Sequence, residues 1–409
     1  MARRKRRRKS GCRHLLMTGM SLILMVLLAV LVRVSGNEIF SKVKATADSV
    51  VQKQFVGKIA YEEVEISENE VEEKFYYGKL GEEEQTIYKE LLQGINDHET
   101  EIYLHASDAK RANEIFQQLL KDCPEIFWCD GRAKTTAYGG DEPYTVLKPS
   151  YSYSEEERER RQKEIDKEVS GCLSGISENA SDFEKILYVF DYVVDTVEYD
   201  AQAEDNQNIY SVFVGKRSVC AGYSKATQYL LEKLGVFCTY VTGKTISGEN
   251  HAWNLVLCEG DYYYVDTTWG DPVFQDDAEA VAKDYTSYDY LCCNDEELFK
   301  THVPDTDTEL PKCEKMDCNY YVVKDMYYEE CDTETILDSM NDTISKKGNP
   351  SVFKFANDEV YAEAKEEIFG ELIKRAAQNL AQWYDLKQVK YTYIDDSELN
   401  KIVIYWEYE

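Results

Sequence analysis

Ser218-Val219-Cys220-Ala221-Gly222-Tyr223, followed by His251-Ala252-Trp253-Asn254 and then Val265-Asp266-Thr267-Thr268-Trp269-Gly270-Asp271, sets a thiol, an imidazole and a carboxylate in that chain order. The first interval is 31 residues and the second 15. A thiol is a competent nucleophile only as its thiolate, so it needs a nearby base, and the base needs a third group to fix its tautomer. The local settings suit those roles. Gly215-Lys216-Arg217 is turn-like, and Ala226, Leu230, Leu231 and Leu234 recur at helical spacing up to the stop at Gly235. Cys220 is therefore expected in or just before the first turn of a helix. There, unpaired backbone N–H groups and the helix dipole favour an anion and stand ready for a tetrahedral oxyanion.

Val236–Thr242 is β-branched and aromatic, and His251–Cys258 and Tyr262–Thr268 flank the short turn Glu259-Gly260-Asp261. A tight hairpin there brings His251 and Asp266 across from each other to within a residue of register. The expected arrangement is a helix-borne Cys220 packed on an antiparallel sheet that carries His251 and Asp266, a triad geometry. Trp253 and Trp269 are read as core or cleft-wall aromatics, His302 as a surface residue, and Asp271 before Pro272 as a turn residue. Gln207 and Ser211 both remain open as oxyanion side chains.

These three runs resemble the bacterial transglutaminase-like superfamily, a branch of the papain-like thiol enzymes. The resemblance extends from about Ser181 to about Pro304. It implies Cys220 as nucleophile, His251 as general base and acid, and Asp266 as the group orienting His251. No cofactor is needed; abundant acids make calcium conceivable, but the sequence has no Asp-x-Asp-x-Asp-Gly loop and no Cys-x-x-Cys with partner ligands for zinc, so no metal is expected. The substrate would be a protein or a peptidoglycan peptide, attacked at an amide or peptide bond. Members include cross-linkers, proteases, amidases and proteins without turnover, so transamidation, hydrolysis alone, and a non-catalytic surface-binding module all stay open.

Composition bounds the rest. The chain has 409 residues, 43% of them apolar, enough for two or three cores. Its net charge is −30, yet eight Lys and Arg and no acid precede Leu15, which leaves −38 on the remainder. So acidic a body repels phosphates and offers no basic groove, which argues against nucleic acid as a partner. The 18 residues Leu15–Val32 are apolar and uncharged, long enough to span a bilayer as a helix. The basic head places the N-terminus in the cytoplasm and the body on the extracytoplasmic side of a cell membrane. A signal peptide cleaved near Val34-Ser35-Gly36 is the rival reading. Of twelve Cys, ten remain after Cys12 and Cys220, and disulfides and free thiols are both open.

The expected organisation is a basic head at 1–14, a transmembrane anchor at 15–32 and an acidic stalk at 37–84. An N-terminal α/β module at 85–153 and a connecting helix at 154–180 come next. The catalytic domain at 181–304 and a C-terminal α/β module at 318–409 complete the chain. The two modules share an α-β-α-β-β order and suggest a repeat. The predicted class is α+β: a papain/transglutaminase-like catalytic domain flanked by two small α/β modules, with one N-terminal transmembrane helix.

Overall fold

All fourteen strands of the described residues lie in three antiparallel or mixed sheets and one short two-stranded pair. The computed structural model describes residues 61, 63–271 and 285–409. The expected head at 1–14, the expected anchor at 15–32 and most of the expected stalk lie outside those residues. Among the described residues, no helix is long and apolar enough to cross a membrane.

Two compact units divide the chain. Of the described residues, the first comprises those up to Ile66 with Glu82–Gln117 and Gly131–Ser150; the second comprises Ser67–Gly81, Gln118–Asp130 and those from Tyr151 to Glu409. The elements begin with α1 (Glu82–Asn96), β1 (Ile102–Leu104), α2 (Ala109–Asp122), β2 (Cys129–Tyr138) and β3 (Tyr144–Tyr151), in the sheet order β1-β3-β2. This is the expected α-β-α-β-β sequence of elements. The end of the expected stalk is a correction. Val71, Tyr76, Tyr77 and Leu80 are buried, and the backbone N–H groups of Tyr76 and Tyr77 donate to the Asp122 carboxylate, each at 2.9 Å. Aromatic burial outweighs the acidic character that suggested a solvated stalk.

The second unit continues with α3 (Glu155–Leu173) and α4 (Asp182–Thr196). Ser181 caps α4 by accepting from Glu184 N–H, and the Glu184 carboxylate accepts from Ser181 N–H, the reciprocal pattern written in Ser181-Asp182-Phe183-Glu184. After β4 (Glu198–Tyr199) and β5 (Arg217–Ser218), which pair in parallel, α5 (Cys220–Lys233) packs on a five-stranded sheet. Its strands are β6 (Cys238–Thr245), β7 (Asn250–Cys258), β8 (Asp261–Val265), β9 (Leu291–Cys293) and β10 (His302–Pro304), in the order β10-β6-β7-β8-β9. The β7–β8 turn holds two residues, since Cys258 pairs with Asp261. Glu259 and Gly260 both take positive φ, the twist that a tight hairpin requires. Between β9 and β10 lies α6 (Asp295–Leu298).

The C-terminal region adds α7 (Tyr320–Val323), β11 (Tyr327–Tyr328), α8 (Thr333–Ser345), β12 (Ser351–Phe355), α9 (Asp358–Glu367), α10 (Ile373–Tyr384), β13 (Tyr391–Asp396) and β14 (Lys401–Trp406). A π-helical turn at Ile368–Leu372 joins α9 to α10. The sheet order is β11-β12-β14-β13, so β12-β14-β13 repeats the β1-β3-β2 order, with β11 as an added edge. Two buried ion pairs tie this sheet to the segment around β9 and α6: Lys354 with Glu297, and Lys401 with Asp289. Tyr321 Oη also donates to Asp289 Oδ1 at 2.9 Å. All eleven described cysteines are free thiols.

Candidate active site

Cys220 is the first residue of α5. Val219 at the N-cap makes no side-chain capping bond; in the first turn Gly222 N–H donates to the Val219 carbonyl at 2.9 Å. The entry to the helix is tight: a Cβ on Gly222 would lie 1.9 Å from Ser218 Oγ, so only glycine lets the chain fold back there. Cys220 is partly exposed. It opens into a cleft of about 630 Å³ shared with Tyr199, Thr245, Glu249, His251, Trp269, Thr301 and Glu398.

The other motif residues hold the sheet to this helix. Asn254, four residues into the His-Ala-Trp-Asn strand segment, donates from Nδ2 to the Ser224 carbonyl of α5 at 3.0 Å. Thr267 Oγ1 meets Thr227 Oγ1 at 3.1 Å. Tyr223 Oη shares its proton between the Val197 carbonyl at 2.8 Å and Asp271 Oδ2 at 3.0 Å. Asp271 does sit in a turn, donating its N–H to the Thr268 carbonyl, but it is also a buried anchor for α5.

The strand register explains how imidazole and carboxylate meet. Asn254 pairs with Val265, so one step further Asp266 falls across from Trp253. His251 is then the diagonal neighbour of Asp266, two residues along β7 and on the same face of the sheet. The result is a His251 Nε2···Asp266 Oδ2 distance of 2.6 Å, both side chains being buried. The other ring nitrogen of His251 is not engaged by Asp266, and Cys220 lines the same cleft as the imidazole. Asp266 Oδ1 accepts from the backbone N–H groups of Thr268 (2.8 Å) and Trp269 (3.3 Å), the two residues that follow it in the motif.

Electrostatics follows from this packing. Burial alone would push the His251 imidazole down. The Asp266 charge, the hydrogen bond to it and the neighbouring Cys220 more than offset that, and His251 is held up at about 10. For Asp266, burial acts to raise the carboxyl. The His251 charge and hydrogen bonds from His251 and His302 overcome it and hold the group well below the usual carboxylate range.

Sequence reasoning placed His302 on the surface, and this is corrected. His302 is buried, and its Nε2 lies 3.1 Å from Asp266 Oδ2. It opens β10, where the alternation of a short edge strand turns Val303 outward and His302 inward. A Cβ on Gly243 would come within 2.3 Å of the Val303 carbonyl oxygen and 2.5 Å of the Trp253 ring, so glycine permits this close approach. Trp253 is fully buried and Trp269 walls the cleft. Tyr199 and Glu398 were also missed as cleft residues. Tyr199 ends β4 and pairs with Ser218, two residues before Cys220, a pairing that the sequence does not display. Glu398 comes from a remote hairpin and had no sequence signal either. Gln207 and Ser211 do not line the cleft: Ser211 Oγ is bonded to Ser218 Oγ at 2.7 Å. His251, Asp266 and His302 bring two ring nitrogens and a carboxylate oxygen within 4.8 Å, the donor set a cation would seek. In this structure those atoms are hydrogen-bonded to one another.

The sequence profile of the Transglutaminase-like superfamily matches residues 172–267, which contain Cys220, His251 and Asp266. Mouse Kyphoscoliosis peptidase is 32% identical over 111 residues, covering 23% of this chain and 17% of the relative. Human Kyphoscoliosis peptidase is 31% identical over 122 residues, covering 26% and 18%. This chain thus matches less than a fifth of the length of those curated relatives. Among solved structures, one described as a TGase is 16% identical with a TM-score of 0.26, covering 45% of this chain and 54% of its own. A putative cysteine protease from Cytophaga hutchinsonii is 14% identical with a TM-score of 0.23, covering 35% and 64%. The chain contains a transglutaminase-like domain with the mixed α+β transglutaminase/papain-like fold.

Proposed function

We propose that this protein is a thiol enzyme of acyl transfer acting on amide or peptide bonds, with Cys220 as nucleophile, His251 as general base and acid, and Asp266 as the group that orients His251. The observation that carries the reading is the 2.6 Å His251–Asp266 contact, with His251 and Cys220 lining one cleft. With His251 retaining its proton up to about 10, the reactive form is a thiolate beside an imidazolium. The thiolate attacks the carbonyl carbon and forms the C–S bond. The C–N bond then breaks as the imidazolium gives its proton to the leaving amine. Water or an amine next attacks the thioester and loses its proton to His251. Acid or new amide departs, and the thiol is restored.

The oxyanion would rest on the first-turn N–H groups of α5, helped by the Tyr199 phenol. Burial first, and the charges of Cys220, Glu249 and Asp266 after it, push that phenol up to about 12, so it stays a proton donor throughout the working range.

Two acids, Glu249 and Glu398, border the cleft and no Lys or Arg among the described residues lines it, which favours substrates with cationic groups near the scissile amide. The relatives are named as a peptidase, and that name favours hydrolysis over transamidation here. The sequence further supports a body held outside the membrane by residues 15–32, acting on proteins or peptidoglycan peptides. Protease added to wall-stripped cells should then digest the body and spare a small membrane fragment.

The deciding experiment is mass spectrometry of the full chain after brief exposure to p-nitrophenyl acetate, with and without a primary amine. An acetyl thioester on Cys220 that water discharges is the expected result, and discharge only by the amine would make the protein a cross-linker. Acetylation confined to other residues would overturn the reading.

A further inference from the structure

The Asp266 carboxylate serves two imidazoles, and the second belongs to a chain of hydrogen bonds that passes through Thr301 at the cleft wall. Oδ2 faces His251 Nε2 at 2.6 Å and His302 Nε2 at 3.1 Å. On the far side of its ring, His302 Nδ1 lies 2.8 Å from Thr301 Oγ1, which in turn lies 2.7 Å from Tyr290 Oη. Directions follow from donor inventories. A carboxylate that is ionised only accepts, so His302 Nε2 must carry its proton. With the ring neutral, His302 Nδ1 is an acceptor, so Thr301 Oγ1–H points to it at 2.8 Å in preference to the Leu298 carbonyl at 3.4 Å, and Thr301 Oγ1 accepts from the Tyr290 phenol. Asp266 Oδ1 is occupied by the N–H groups of Thr268 and Trp269. The carboxylate thus accepts four hydrogen bonds and cannot rotate without breaking them. His302 is fixed from the sides too, with Trp269, Trp253 and Tyr290 rings centred 4.6, 5.0 and 5.0 Å away.

We infer that His302 is a positioning residue for the acyl-transfer site. It acts through Asp266, with Thr301 setting its tautomer. The inference rests on the proposed roles of Cys220, His251 and Asp266. Without the His302 donor, Oδ2 keeps a single partner, and Asp266 gains freedom to swing away from His251. Without the Thr301 hydroxyl, the His302 ring is free to place its proton on Nδ1 and turn a bare nitrogen toward the carboxylate, which repels it. Because Thr301 also lines the cleft, an acyl group bound there touches the same chain that fixes the base.

The test uses the full chain and three variants: His302→Gln, which retains an N–H donor, His302→Leu, which removes it, and Thr301→Val, which removes the hydroxyl at constant shape. Readouts are kcat and KM on p-nitrophenyl acetate, the melting temperature, and ¹⁵N shifts of labelled histidines, of which the chain has five. His302→Leu and Thr301→Val should lose kcat by about 10- to 100-fold with KM little changed, less than loss of the Asp266 charge itself. His302→Gln should recover much of it. The wild-type shifts should report an Nε2–H tautomer at His302, and Thr301→Val should disturb it. A folded His302→Leu protein with wild-type kcat would overturn the inference. If that variant does not fold, unchanged kcat and unchanged histidine shifts in Thr301→Val do the same. Undiminished turnover in Cys220→Ala would instead sink the acyl-transfer reading beneath it, whatever the His302 variants show.

Discussion

Glu398 and Cys220, 178 residues apart in the chain, line the same cleft. The link is the turn between β13 and β14, so the C-terminal sheet supplies part of the wall around the proposed nucleophile. With Glu249 it gives the cleft rim two exposed acids. Neutralising either by Gln should raise KM for a Lys-bearing peptide by about two- to five-fold, the size of an exposed charge pair, and leave kcat unchanged. Comparing Lys- and Glu-bearing peptides of one length measures it. Equal KM values for the two peptides in the wild type would refute the selectivity.

The triad should fail as a unit. Cys220→Ala and His251→Ala should each lower kcat by more than about 10⁴-fold, and Asp266→Asn by on the order of 10³-fold. Circular dichroism should show all three folded, since α5 accepts Ala at its first residue. A Cys220–His251 double variant no worse than either single variant would show the non-additivity that a shared step demands.

Thiol labelling separates the enzyme from a binding module. Cys220 and Cys331 are the two described cysteines that are not buried. The Cys331 thiol is pushed up, by burial first and then by Glu363, Glu367 and Asp332. Iodoacetamide at neutral pH should therefore alkylate Cys220 well before Cys331, and peptide mapping over time reads the order. Equal rates at both positions would count against a thiolate paired with His251.

Activity should keep a plateau on the alkaline side until His251 loses its proton near 10, since the leaving amine takes its proton from that imidazolium. Asp266→Asn should move this edge down. Stability has matching signs. The raised imidazole contributes stabilisation in full below the unfolded value of about 6.5, and that contribution fades as pH rises through about 10. Asp266 and Asp289, both held low, contribute above the unfolded carboxyl value of about 3.9, and lose it as pH falls through their lower folded values. Melting temperature against pH should fall at both ends, with the acid limb shallower in Asp289→Asn.

Lys401→Met should destabilise the protein by about 3–5 kcal/mol, because it leaves the Asp289 carboxylate buried beside a partner that no longer carries charge. Adding Asp289→Asn in the same chain should restore part of the loss. Denaturant unfolding of the single and double variants measures both steps.

The catalytic region was largely legible because its signals are local. Helical spacing after Cys220, the alternation along β7 and the Glu259-Gly260 turn each depend on neighbours in the chain. The elements of the C-terminal region were readable for the same reason. His302 was not. A three-residue edge strand is too short to show alternation, and what makes His302 an inward-facing group is pairing with β6 some 60 residues earlier. Glu398 was hidden more completely, since only the packing of two distant regions brings it to the cleft. The Ser67–Gly81 stretch misled by composition: its acids are exposed while Val71, Tyr76 and Tyr77 are buried.

The buried pairs Lys354–Glu297 and Lys401–Asp289 bear on the history of the chain as well as its stability. Each places one charge on the C-terminal sheet and its counter-charge in the segment around β9 and α6. A recombination event that kept one side and replaced the other would strand a charge in the interior of both products. Residues from Asp289 to β14 should therefore have been inherited together, so that this part of the sheet and its C-terminal partner diverge as one lineage instead of being shuffled as separate cassettes.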